Sequence, residues 1–101
     1  MGAILLHREK YVDADGDLVA LVLWQVHQSA AYPDGIRYRL AFLPAGTKKP
    51  VVLYDNHLPK GHHRHHRGTQ NPYPFSTIEQ LLRDFLADVQ HAKVECKEGR
   101  E

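Results

Sequence analysis

A chain of 101 residues with 43% hydrophobic and 25% charged side chains has the size of one globular domain, with room for a modest core and too little length for two. Its formal charge of +1 gives no general pull toward polyanions, so the distribution of charge has to be read instead. Cys96 is alone, which excludes an internal disulfide and fits a reducing, cytoplasmic setting. No apolar run approaches the ~18 to 20 residues of a membrane helix, so no membrane span is expected.

Residues 3 to 8 predict a short first strand. The short run Ala3-Ile4-Leu5-Leu6 lacks the length and cleavage site of a secretory leader. Asp13-Ala14-Asp15-Gly16-Asp17 is a turn cluster, and the apolar run that follows predicts a central strand over 18–27. In that strand Val19, Leu21 and Leu23 alternate with Ala20, Val22 and Trp24, and Trp24 is expected in the core, as is Phe42.

Tyr32-Pro33-Asp34-Gly35 is a reverse-turn signal. Beyond it, 36–43 alternates Ile36, Tyr38, Leu40 and Phe42 with Arg37, Arg39 and Ala41, predicting a half-exposed strand with two arginines on its open side. Pro44 to Pro50 closes a second hairpin, and a fourth strand is expected over 51–55.

Residues 56–74 then read as a basic loop. Five of the eight histidines of the chain (His57, His62, His63, His65 and His66) lie there with Lys60, Arg64 and Arg67, and no acid occurs between Asp55 and Glu79. Ser76-Thr77-Ile78-Glu79 has the pattern of a capping box opening a helix over about 77–91. Ile78, Leu81, Leu82, Phe85, Leu86 and Val89 form its apolar stripe, and 93–101 reads as a frayed tail. The expected fold is a single α+β domain, ββββα, with a four-stranded, mainly antiparallel meander covered by one C-terminal helix.

Three chemistries compete for the basic loop. A solvated histidine-rich loop with incidental metal affinity is the blandest. A dedicated metal site built from Asp55, His57, His62, His63 and His65 is the second; the absence of cysteine, the unfamiliar spacing and the adjacent arginines count against it, so no metal or other cofactor is expected.

The third is metal-independent cleavage of RNA. Attack by a 2′-hydroxyl on the neighbouring phosphate needs a base, an acid for the departing 5′-oxygen, and cations for the growing phosphoryl charge. Histidines supply the first two and arginine or lysine the last. On this reading His62, His63 and His65 share the acid and base roles, with Lys60 and Arg64 on the phosphate. Arg67, His57, Arg37 and Arg39 are further candidates for RNA contact, and Asp55 for orienting a histidine. In extended backbone His63, His65 and Arg67 share one side, and His62, Arg64 and His66 the other. A nucleic-acid or protein-binding module without chemistry is the further alternative.

The run Tyr54-Asp55-Asn56-His57, then Lys60-Gly61-His62-His63-Arg64-His65, then Tyr73-Pro74-Phe75-Ser76 with Ile78-Glu79 and Asp84-Phe85, resembles the TumE family of bacterial toxin–antitoxin toxins, formerly a domain of unknown function. The likeness covers about residues 51–90. It implies a small toxin silenced by a helix-turn-helix antitoxin encoded beside it; RNA as the target is inferred from the loop. In size and in its basic antiparallel sheet the chain is also similar to RNA-cleaving toxins of the RelE kind, but it lacks their N-terminal helical hairpin. A homodimer through the sheet edges is a further expectation.

Overall fold

The computed structural model describes residues 2–57, 61–66 and 68–98. Lys60 and Arg67 therefore lie outside the described residues. The chain forms β1 (Ile4–Val12), β2 (Leu18–Gln25), β3 (Ile36–Leu43), β4 (Val52–Asp55), β5 (His63–His66), β6 (Thr69–Pro72) and α1 (Ile78–Glu98). The strands form one sheet in sequence order, and each pairs antiparallel with the next.

The class and the single C-terminal helix agree with the sequence reading, but the sheet has six strands where four were expected. The two extra strands come from the stretch read as a loop. Gly61 and Gly68, at φ of 71° and 83°, allow the backbone to reverse before and after a four-residue strand. Between them His63 to His66 pair with Asp55 to Val52, and the next hairpin pairs the same residues with Pro72 to Thr69. β5 carries no apolar alternation, so hydrophobic periodicity gave no sign of it.

Side-chain alternation sets the layers. Val19, Leu21 and Leu23 of β2, Tyr38, Leu40 and Phe42 of β3, and Val52 and Tyr54 of β4 all point to one face, where Leu81, Phe85, Val89 and Ala92 of α1 cover them. Phe85 stands edge-on to Tyr54 at 5.7 Å between ring centroids, and both are fully buried. A row of polar bonds ties sheet to helix at the border of this core. The Tyr54 hydroxyl donates to Asp88 Oδ2 at 2.5 Å, Tyr73 donates to Asp84 Oδ2 at 2.5 Å, and His66 Nε2 lies 2.9 Å from Glu95 Oε1. Burial first, and then the bond to a carboxylate, pushes both phenols above the ordinary tyrosine range.

The helix is capped by Thr77, not by Ser76: Thr77 Oγ1 accepts from the Gln80 amide at 3.0 Å. It also runs through Glu98, past the expected end near residue 91. Lys93 accounts for this length, because its ammonium donates to Asp13, Asp15 and Asp17 at 2.6, 2.9 and 3.0 Å and so fixes the last turns to the β1–β2 turn. Burial opposes that ammonium, but the three carboxylates outweigh it and raise its pKa above the usual lysine value. Their oxygens converge within 4.8 Å, a geometry that suits a cation, and the lysine supplies the charge.

β1 is the outer strand at one side of the sheet. A bulge between Leu5 and His7 interrupts its pairing, and each of its nine residues is exposed. Ile4, Leu5, Leu6 and Val12 thus stand on an open edge.

Candidate nucleic-acid interface and histidine pair

The face opposite α1 is built by the other half of each alternation. Cross-strand register places residues in rows on it. One row runs Arg8, Val22, Arg39, Asp55, His63; the next runs Lys10, Ala20, Ala41, Leu53, His65; and at the far end Leu5, Trp24 and Arg37 stand side by side. Four fixed cations therefore share this face with two histidines, and Asp55 is its sole carboxylate among the described strand residues. The other described acids lie on the helix side or at the turns, so charge is sorted between the faces among the described residues despite the small net total.

Asp55 is the hub. Its Oδ1 accepts from the His57 amide at 3.1 Å and lies 3.1 Å from His63 Nε2. On the other side of the His63 ring, Nδ1 is 2.8 Å from the Gly61 carbonyl, which can only accept, so that nitrogen holds its proton and donates. These two anchors, with 6% exposure, fix the ring orientation. The His65 ring meets it edge-on, 5.1 Å between centroids at an interplanar angle of 69°.

Asn56 explains why the chain leaves β4 at this point. Buried to 3% exposure, it accepts from the Tyr38 amide at 2.9 Å through Oδ1 and donates to the Ile36 carbonyl at 2.6 Å through Nδ2. The side chain continues the ladder on β3 where the backbone departs, which frees Asp55 and His57 for the open face.

The other members of the expected catalytic set are elsewhere. His62 donates through Nε2 to Asp34 Oδ2 at 2.7 Å, its Nδ1 takes the Tyr38 hydroxyl at 2.9 Å, and its ring stacks on Phe75 at 4.7 Å and 6°. It links the β2–β3 turn to the segment before the helix. Arg64 points to the helix side, donating to the Tyr54 hydroxyl at 3.2 Å and lying 3.6 Å from Asp88. The structure thus brings His63 and His65 together and separates them from His62 and Arg64. The residues weighed as an alternative metal site are also divided, and the three-ligand cluster among the described residues is the Asp13, Asp15 and Asp17 set.

Of the expected RNA contacts, Arg37, Arg39 and His57 line one cavity of about 510 Å³ with Ala3, Val22, Trp24, Val26 and Asp55. Trp24 is half-buried on the open face and not in the core, whereas Phe42 is fully buried as expected. The sequence did hold a sign of this, since Trp24 is in phase with Ala20 and Val22 and out of phase with Val19, Leu21 and Leu23. Lys10 was also missed because the first strand was ended at residue 8, and Arg8 because the pairing of that strand with β2 was not legible.

A family model described as Toxin TumE matches residues 3–93. The chain belongs to the TumE toxin family. The match extends well beyond the stretch around residues 51–90 that carries the motif, and takes in the strands that supply Arg8, Trp24, Arg37 and Arg39. No curated protein and no solved structure matches at a significant level. Membership in a toxin family suggests an antitoxin partner. Among the described residues no helix is long and apolar enough to cross a membrane.

Proposed function

We propose that this TumE-family toxin belongs to a type II toxin–antitoxin system and acts on RNA in the cytoplasm, cutting phosphodiester bonds with the open-face histidines and without a metal. The observation that carries the reading is the juxtaposition of His63 and His65 on a face holding four fixed cations.

In the proposed step one imidazole removes the 2′-hydroxyl proton, the 2′-oxygen bonds to phosphorus, and the P–O5′ bond breaks as the other imidazole gives the 5′-oxygen a proton. A 2′,3′-cyclic phosphate and a free 5′-hydroxyl result. Arg39, one strand from Asp55, and Arg37 beside it offset the charge that grows on the phosphoryl oxygens. Asp55 positions His63, whose Nδ1 stays on the Gly61 carbonyl, so Nε2, 3.1 Å from Asp55 before RNA binds, is the nitrogen that turns to the substrate and exchanges the proton. His62 and Arg64 act by holding β5 in place, and Lys60 and Arg67, outside the described residues, belong to the reading as further phosphate contacts.

A helix-turn-helix antitoxin completes the system in this proposal, and the open edge of β1 offers a strand for its docking or for a homodimer. Expression of the parent should arrest growth. Two single variants, His65→Ala and His63→Asn, should relieve it; asparagine keeps an amide donor toward the Gly61 carbonyl and spares the fold. If both variants melt like the parent and still arrest growth equally, the histidine pair is not the source of toxicity.

A further inference from the structure

The cavity at the Trp24 end of the open face shares Arg37, Arg39 and Asp55 with the chemistry proposed for His63 and His65, but that chemistry leaves its apolar wall without an occupant. Its walls combine the indole of Trp24 and the side chains of Val22 and Val26 with Arg37, Arg39 and His57 at the polar side. Neither guanidinium has an ion-pair partner among the described residues, and the nearby carboxylate of Asp55 is engaged by the His57 amide and by His63. An apolar slot whose cations are unneutralised suits a ligand that is flat and aromatic at one end and anionic at the other.

We propose that this cavity is a nucleobase subsite for single-stranded RNA: one unpaired base stacks on Trp24 while the phosphates beside it lie on Arg37 and Arg39. The inference rests on the RNA reading of the same face and extends it to a substrate class. At about 510 Å³ the cavity falls within the range of small-ligand pockets and has space for a single base. A base in a duplex keeps both its faces stacked and offers none to an indole, so the subsite selects unpaired RNA. Trp24 on β2 lies three strands across from His63 on β5 and two residues along, about 16 Å at about 4.8 Å per strand and about 3.4 Å per residue, which puts the held base within a few nucleotides of the scissile phosphate.

Trp24 is the single tryptophan of the chain, so its fluorescence reports directly on this subsite. The probe is a short 2′-O-methyl RNA strand, which cannot be cleaved, followed by anisotropy of an attached dye together with Trp24 emission. Binding should quench Trp24, the same strand in a duplex should not, and Trp24→Ala should weaken single-strand binding about 5- to 150-fold while Trp24→Phe keeps most of it. Arg37→Ala should weaken binding with the Trp24 emission of the free protein unchanged. Anisotropy saturation with silent Trp24 emission, or a folded Trp24→Ala variant that binds like the parent, overturns the subsite and leaves the RNA reading intact. Absence of any RNA binding overturns both. Quenching by the antitoxin together with none by RNA assigns the cavity to protein docking and likewise overturns the proposal.

Discussion

Replacing Arg37 and Arg39 together by alanine should change how salt weakens RNA binding, by an amount set by the layout of the open face. Arg8, Lys10, Arg37 and Arg39 are the fixed cations that register places there. Each phosphate contact to single-stranded nucleic acid contributes about −0.7 to the slope of log affinity against log salt. Losing two contacts should make the slope shallower by about 1.4, which cuts the loss of affinity between 50 and 200 mM salt by about 7-fold.

The assay is fluorescence anisotropy with an uncleavable single strand across that salt range. Lys48→Ala with Lys49→Ala removes the same charge from the β3–β4 turn, away from the open face, and should leave the slope near that of the parent. If the two double variants shift the slope equally, only total charge matters and the face has no special role. If Arg37→Ala with Arg39→Ala leaves it unchanged, those arginines do not touch phosphate.

Two further outcomes test the scaffold. Phe85→Ala removes a fully buried ring packed on Tyr54 and should cost about 3–5 kcal/mol in urea denaturation; a loss under 1 kcal/mol would mean the helix is not docked on this core. Lys93→Met should destabilise at neutral pH by leaving Asp13, Asp15 and Asp17 without their shared cation. The hydrogen bond from Lys93, its largest cause, holds the Asp13 carboxyl below the ordinary value of 3.8, so the stabilisation is present above that pH and lost as pH falls through the lowered value. The raised Lys93 pKa keeps the contribution intact up to about 10.5 and lets it go at higher pH. Parent and variant should therefore differ by a constant amount between these limits and converge in acid; a gap that widens in acid would contradict the clamp.

The apolar strands and the helix could be read from periodicity because burial on one face imposes it: Tyr38, Leu40 and Phe42 against Arg37 and Arg39 is the clearest case. β5 and β6 could not, since their residues are polar on both faces and their pairing depends on Gly61 and Gly68, which let the chain reverse on either side of β5. The division of the histidines was half legible. Extended geometry does put His63 and His65 on one side and Arg64 and His66 on the other, but the capture of His62 by Asp34, Tyr38 and Phe75 is a contact between residues 13 to 28 positions apart that no local pattern encodes. Trp24 was assigned to the core because large apolar residues usually go there, and only its register with Arg37 reveals its place on the open face.

The central claim, that His63 and His65 move the protons of an RNA phosphodiester, is tested most directly by incubating purified protein with single-stranded RNA in excess chelator and identifying the new ends. The account predicts cleavage that leaves 2′,3′-cyclic phosphates and 5′-hydroxyls, abolished in a folded variant carrying both His63→Asn and His65→Ala. RNA left intact by protein that is toxic in cells, cleavage that stops with the chelator, or undiminished cutting by the double variant would contradict it.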